Sequence, residues 1–215
     1  MMNTSISNSF KWLLAALVML SMSIFASVSQ ASDDLVEPQL IVKTASEKVL
    51  AVLLDRREEL AKDHQQIYDL VEEVVLPHFD FARMSRLALG RNWNEASPEQ
   101  REQFVEEFRL LLVRTYATAM LEYTDEELRF LPFRDDLDSG RVNVPMQVIQ
   151  SSRPPVSVNL ALYKNKDGEW KVYDVRIEGI SLVTNYRSTF ANEIRNGGIE
   201  ALIQSLSERN ERIRS

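Results

Sequence analysis

The sequence predicts an α+β fold in which N-terminal helices and a C-terminal helix pack on a curved antiparallel sheet of about four strands. Three observations carry this. Apolar residues recur at helical spacing from Leu35 to Tyr123, the period changes to two between Leu128 and Ile177, and a helical pattern returns past Gly179.

The elements follow in chain order. Ile41, Ala45, Val49, Val52 and Leu53 form one helical stripe, and Ile67, Leu70, Val71, Val74 and Val75 form a second. Asp63 with Gln66 three residues on reads as a capping box for the second helix, and Pro77 ends it. A short helix is expected from Asp80 to Leu89, with Gly90 as its left-handed cap. Ser97-Pro98-Glu99-Gln100 supplies an N-cap hydroxyl, a proline in the first turn and a glutamine at the third position. It opens a long helix with the stripe Phe104, Phe108, Leu111, Leu112, Thr115, Tyr116 and Ala119. Leu128 to Phe133 is apolar on both faces and reads as a buried strand. Val142, Val144, Met146 and Val148 then alternate with more polar neighbours, as do Val156, Val158, Leu160 and Leu162, so each strand has one apolar face. Pro145 has no N–H to give a ladder and predicts an edge or a bulge. Asn165-Lys166-Asp167-Gly168 is a hairpin turn into Trp170–Ile177, where Tyr173, Val175 and Ile177 share a face. The last helical stretch passes Phe190 and Ile194, breaks at Gly197-Gly198, and resumes with Ile199, Leu202, Ile203 and Leu206.

Composition narrows the function. The chain has 215 residues, 25 basic and 32 acidic side chains and no cysteine. An acidic balance argues against a phosphate-tracking nucleic-acid binder, and the lack of cysteine removes disulfides, thiolate zinc sites and cysteine nucleophiles. Lys11 is the only charge in the first thirty residues and precedes an apolar run from Trp12 to Leu20, with Ser29 and Ala31 at the positions a signal peptidase reads. The run is well short of the ~20 residues that span a bilayer. Residues 1–31 are therefore expected to be a cleaved signal peptide and 32–215 a single domain. Without Lys11 the exported chain keeps 24 basic against 32 acidic side chains, a net charge of −8.

Catalytic constellations are scarce. The two histidines, His64 and His78, have no serine or cysteine elbow, and no nucleotide loop or H-E-x-x-H motif occurs. The cluster Asp135, Asp136 and Asp138 lacks the spacing of a calcium loop. No catalytic residue, metal site or cofactor is assigned. A curved meander covered by helices can enclose a cavity, and its apolar face is either plain core or the lining of a lipid or steroid pocket.

Particular segments carry a resemblance. Leu76-Pro77-His78-Phe79-Asp80-Phe81, Leu87-Ala88-Leu89-Gly90 and Ser97-Pro98-Glu99-Gln100-Arg101 with Phe104 and Phe108 resemble the helical half of the MlaC family of periplasmic phospholipid-binding proteins, also described as toluene-tolerance auxiliary components. Trp170 to Val175, Glu178 to Val183, Asn185 to Phe190 and Gly197-Gly198-Ile199 are similar to the rest of that family's signature. The resemblance implies an NTF2-like general shape around an apolar lipid cavity. It also implies a soluble, monomeric, non-catalytic shuttle carrying diacyl phospholipid across the periplasm and maintaining outer-membrane lipid asymmetry. The implied partners are an outer-membrane lipoprotein complex and an inner-membrane MCE-domain ABC transporter. Exposing an acyl chain of about sixteen carbons costs roughly 12 kcal/mol at ~0.8 kcal/mol per methylene, so such a carrier must enclose its tails.

Under this resemblance the expected lipid contacts are Val71, Val75, Phe79, Phe108, Leu112 and Tyr116 from the helices, with Val144, Met146, Val148, Val158, Leu160, Leu162, Tyr173, Val175 and Ile177 from the sheet. Arg83, Arg86, Arg91, Arg101, Arg153 and Arg187 are the cations expected to dock partners, and Gly90 and Gly197-Gly198 serve as either hinges or helix caps. An enzyme using the same cavity, which needs an ionisable group at its floor, and a protein-binding adaptor with an ordinary core are the competing classes.

Overall fold

The computed structural model describes residues 35–117, 127–150 and 153–214; the expected leader and Ala119 lie outside the described residues. Helix α1, Glu37–Lys62, bends at Arg56, whose φ of −119° and ψ of 22° leave the helical region. Helix α2, His64–Val74, starts at Asp63, whose carboxylate accepts from the Gln65 N–H at 3.1 Å. The expected reciprocal box is not made. The Asp63 N–H is already donated to Glu59 O at the end of α1, so the Gln66 side chain turns to the Asp63 carboxylate instead.

A 3₁₀ turn at Leu76–His78 follows, and Asp80 caps α3, Phe81–Leu89, through the Arg83 N–H at 2.8 Å. Gly90 closes α3 at φ 57° and ψ −124°, not the left-handed helical cap expected there but a backbone conformation that glycine, lacking a Cβ, adopts without strain. The short helix α4 is Asn92–Glu95. At α5, Pro98–Ala117, the box is complete: the Gln100 N–H donates to Ser97 Oγ at 3.2 Å and the Ser97 N–H to Gln100 Oε1 at 3.1 Å.

The sheet is an antiparallel meander of five strands, β1 (Glu127–Phe130), β2 (Arg141–Gln150), β3 (Arg153–Lys164), β4 (Trp170–Ile177) and β5 (Ile180–Ser181), in that order. The second to fourth match the alternating segments. The buried strand expected over Leu128–Phe133 is instead the edge strand β1, exposed on one face and half-buried on the other and ending at Phe130, because Glu127 and Arg129 hold its outer face in water. Two residues are too few to reveal a fifth strand by periodicity. Pro145 lies inside β2, the second strand. Its carbonyl accepts from the Leu131 N–H at 3.0 Å, one residue past the end of β1, and it has no hydrogen to return. The β1 ladder stops there. Further along that edge the Asn143 N–H is taken by the Asp135 carboxylate at 2.6 Å. On the far side, Phe79 bridges to Val172 and the Asp80 N–H donates to Val172 O at 2.9 Å, which covers the part of β4 that β5 does not reach.

Helix α6, Leu182–Arg214, begins on the sheet: Asp174, buried on β4, accepts from the Val183 N–H at 3.2 Å, and Ser181 Oγ accepts from the Thr184 N–H. Gly198, at φ 80° and ψ 178°, breaks it where the paired glycines predict. Helices α3, α5 and α6 share a sealed aromatic core in which Phe190 meets Phe104 and Phe108 edge to face at 5.4 and 5.3 Å.

Candidate functional site

Register sorts the side chains of the sheet into rows on one face. Val142, Leu162 and Val172 form the first row and are at most 2% exposed. Val144, Leu160 and Val175 form the next. The third crosses all five strands, from Phe130 through Met146, Val158 and Ile177 to Ile180. Leu128, Val148 and Val156 make a fourth. At ~3.4 Å per residue, the rows from Val142 to Val148 cover ~20 Å of strand, more than the ~15 Å of hydrocarbon in one leaflet of a bilayer.

This face is closed at one end and open at the other. Trp170 seals the closed end, and its indole N–H donates to Glu37 Oε2 at 3.2 Å at the start of α1. Ile41 and Val42 of α1 lie on the face, together with Phe79 and Phe133. Gln39, buried beside them, donates to Leu131 O at 3.1 Å and accepts from the Val36 N–H, so its burial leaves neither group unpaired. At the opposite end Ile177 is 41% and Ile180 66% exposed. The rows contain no ionisable side chain.

The fifteen expected contacts do not converge on one place. Val144, Met146, Val158, Leu160, Leu162 and Val175 gather in the sheet cluster with Phe79, while Val148 and Ile177 join the same face through their register. Phe108 and Leu112 instead face the helical core, where Phe108 packs on Tyr186 and Phe190. Val71 and Val75 belong to a third cluster between α1, α2 and the end of α5. Tyr116 is exposed. Tyr173 is on the other side of the sheet, because a bulge opposite Ala161/Leu162 pairs Leu162 with Val172 and Ala161 with Asp174, leaving Tyr173 over. It packs on Tyr163 at 5.9 Å. Val142, Trp170 and Val172 complete the sealed end and were missed; they continue the period-two pattern, but on β4 the alternation of Tyr173, Val175 and Ile177 competes with it.

A second feature had no sequence signal beyond its two stripes. Between α1 and α2 runs a groove of about 1000 Å³, floored by Leu40, Ile41, Ala45, Val52, Leu70 and Val74 and rimmed by Lys48, Arg56, Asp69 and Glu73. None of the fifteen expected residues lines it. Ile41 belongs both to the groove and to the sheet cluster, so α1 is the wall between them. His78 also lines the groove, and burial, then Lys171 and Lys48, hold its imidazole below its ordinary pKa.

Several expected docking cations are engaged internally. The Arg83 guanidinium lies 3.9 Å from the centre of the Tyr163 ring and 4.9 Å from that of Tyr173, and the Tyr163 hydroxyl donates to Asp80. That bond to Asp80 pushes the Tyr163 phenol above its ordinary pKa. Arg101 donates to Trp93 O at 2.9 Å. Arg187 packs against Gly90, where an added Cβ would stand 2.6 Å from its Nε. Arg86 and Arg91 are exposed, and the Arg153 side chain lies outside the described residues.

Comparison with known proteins gives a consistent set. A family profile described as MlaC protein matches residues 43–208. The intermembrane phospholipid transport system binding protein MlaC of Haemophilus influenzae is 24% identical over 173 residues, covering 80% of this chain and 81% of that one. The toluene tolerance protein ttg2D of Pseudomonas putida is 28% identical over 162 residues, covering 75% and 74%. Among solved structures, the phospholipid-binding protein of Ralstonia solanacearum in complex with a phospholipid superposes with a TM-score of 0.76 at 35% identity, covering 82% of this chain and 98% of that one.

Proposed function

The chain belongs to the MlaC family, and from that membership we propose that it is a phospholipid carrier whose sheet face takes the acyl chains. The observation that carries the reading is the run of four apolar rows without an ionisable group, closed at Trp170 and open at Ile180. An acyl chain laid on such a face leaves water without desolvating any charge. The Haemophilus and Ralstonia relatives are described as phospholipid transport and phospholipid-binding proteins, which supports the same cargo here.

The finer reading places this carrier in the periplasm, between an outer-membrane lipoprotein complex and an inner-membrane MCE-domain ABC transporter, as a non-catalytic component. The leader pattern around Lys11 and Ala31 supports export. Among the described residues no helix is long and apolar enough to cross a membrane. A catalytic use of the sheet face would need a carboxylate or imidazole on the apolar rows. Asp174, the buried carboxylate of β4, instead caps α6 on the opposite side of the sheet.

Native mass spectrometry of the purified protein tests the function. The expected result is a bound diacyl phospholipid that is lost on delipidation and regained from vesicles. A protein that takes up no phospholipid under these conditions would overturn the reading.

A further inference from the structure

We infer that the β4–β5 hairpin, through Ile177 and Ile180, is the mouth of the acyl-chain site: the end of the apolar face over which a phospholipid's tails pass on uptake and release. The inference rests on the carrier reading and deepens it. Ile180 is the most exposed of the large apolar side chains among the described residues. An isolated exposed isoleucine needs no explanation. This one is paired with Ile177, which is paired with Val158, then Met146, then Phe130, so it ends an unbroken row leading inward across the sheet.

The tip is held in place. Glu178 is the one non-glycine residue with positive φ among the described residues, at 50°, and Gly179 follows at 78°. The Glu178 N–H donates to Ser157 O at 2.9 Å and the Glu178 carboxylate accepts from the Ser157 N–H. These bonds pin a strained turn to β3, which keeps both isoleucines on the apolar side while exposed to water. Leu54 on α1 provides an internal contrast: it is 64% exposed but lies outside the sheet and its rows.

Two measurements use the cysteine-free background. Ile180→Cys and Leu54→Cys are each labelled with bimane and mixed with vesicles of phosphatidylcholine brominated along its chains. Quenching at position 180 but not at 54 is expected when lipid loads; equal quenching at the two positions, or none at 180 in a loaded protein, overturns the mouth. Separately, Ile180→Lys is expected to slow lipid exchange with vesicles by about tenfold, through the loss of one isoleucine's apolar contact along the path of the tails. Unchanged exchange in a folded variant also overturns it. Failure of the unsubstituted protein to take up brominated lipid is a different result and overturns the carrier reading instead.

Discussion

The helical core and the apolar sheet face are both built of apolar side chains, arranged to opposite ends. In the helical core, aromatic rings lock edge to face, and Phe104, Phe108 and Phe190 are wholly removed from water. On the sheet face the side chains are mostly Val, Leu, Ile and Met, and burial falls from Val142 at one end to Ile180 at the other. Rings in T-shaped contact fix one another's orientation, whereas aliphatic rows conform to a chain laid on them. Under the proposed function, the contrast separates apolar residues that only hold the fold from those that also take a ligand.

The strongest way to break the comparison is to swap the consequences of damage. Phe190→Ala is expected to cost about 3–5 kcal/mol, read by denaturant unfolding, while the folded fraction still loads lipid. Leu160→Glu should remove loading even from the folded fraction, since a carboxylate on the second apolar row, buried in the sheet cluster, costs several kcal/mol of desolvation or draws water onto the face. Bound lipid should disappear from the native mass spectrum of the molecules whose circular dichroism is native. Full loading of that variant would put the acyl chains elsewhere, with the α1–α2 groove the first place to look.

Smaller effects sharpen the same division. Gly90→Ala forces a side chain into positive φ and onto the Arg187 guanidinium, and should cost about 1–3 kcal/mol of stability without changing lipid exchange. Altered exchange at unchanged stability would make Gly90 a hinge rather than a cap. Finally, burial raises the Tyr186 phenol to about 12. A raised folded-state value favours the neutral phenol, so its contribution is complete below the ordinary tyrosine pKa of ~10 and is lost as pH climbs toward 12. Ultraviolet titration should show a late phenol, and stability should decline over that window; a Tyr186→Phe variant should lack this component of the decline.

Local signals read well from the sequence where no neighbouring element competes for the same groups, as the end of α1 does for the Asp63 N–H. The Ser97–Gln100 box, the Asn165–Gly168 turn and the break at Gly198 each depend on residues within a few positions of one another. The site was legible only in part. Helical spacing identifies that Phe108, Leu112, Val71 and Val75 are buried, but not against which neighbour, and tertiary packing sent them to two other clusters. Tyr173 was misplaced because one bulged residue reverses the alternation of a strand, and nothing in the composition of β4 marks it. The groove escaped for a similar reason: two facing stripes imply contact, and the space left between them depends on how far apart the helices stand.

The way the sheet ends bears on self-association. β1 has four residues and β5 two, beside inner strands of up to 12. The backbone these short edges leave uncovered is met by Pro145, which offers no hydrogen, by Asp135 on the Asn143 N–H, and by Phe79 and Asp80 alongside Val172. An empty carrier with a greasy face is a natural template for stacking, strand against strand, into fibrous polymers. Among the described residues the outer edges are short, and the inner-strand backbone beyond them is met at these positions, so two empty molecules that collide have only short rims with which to propagate a sheet.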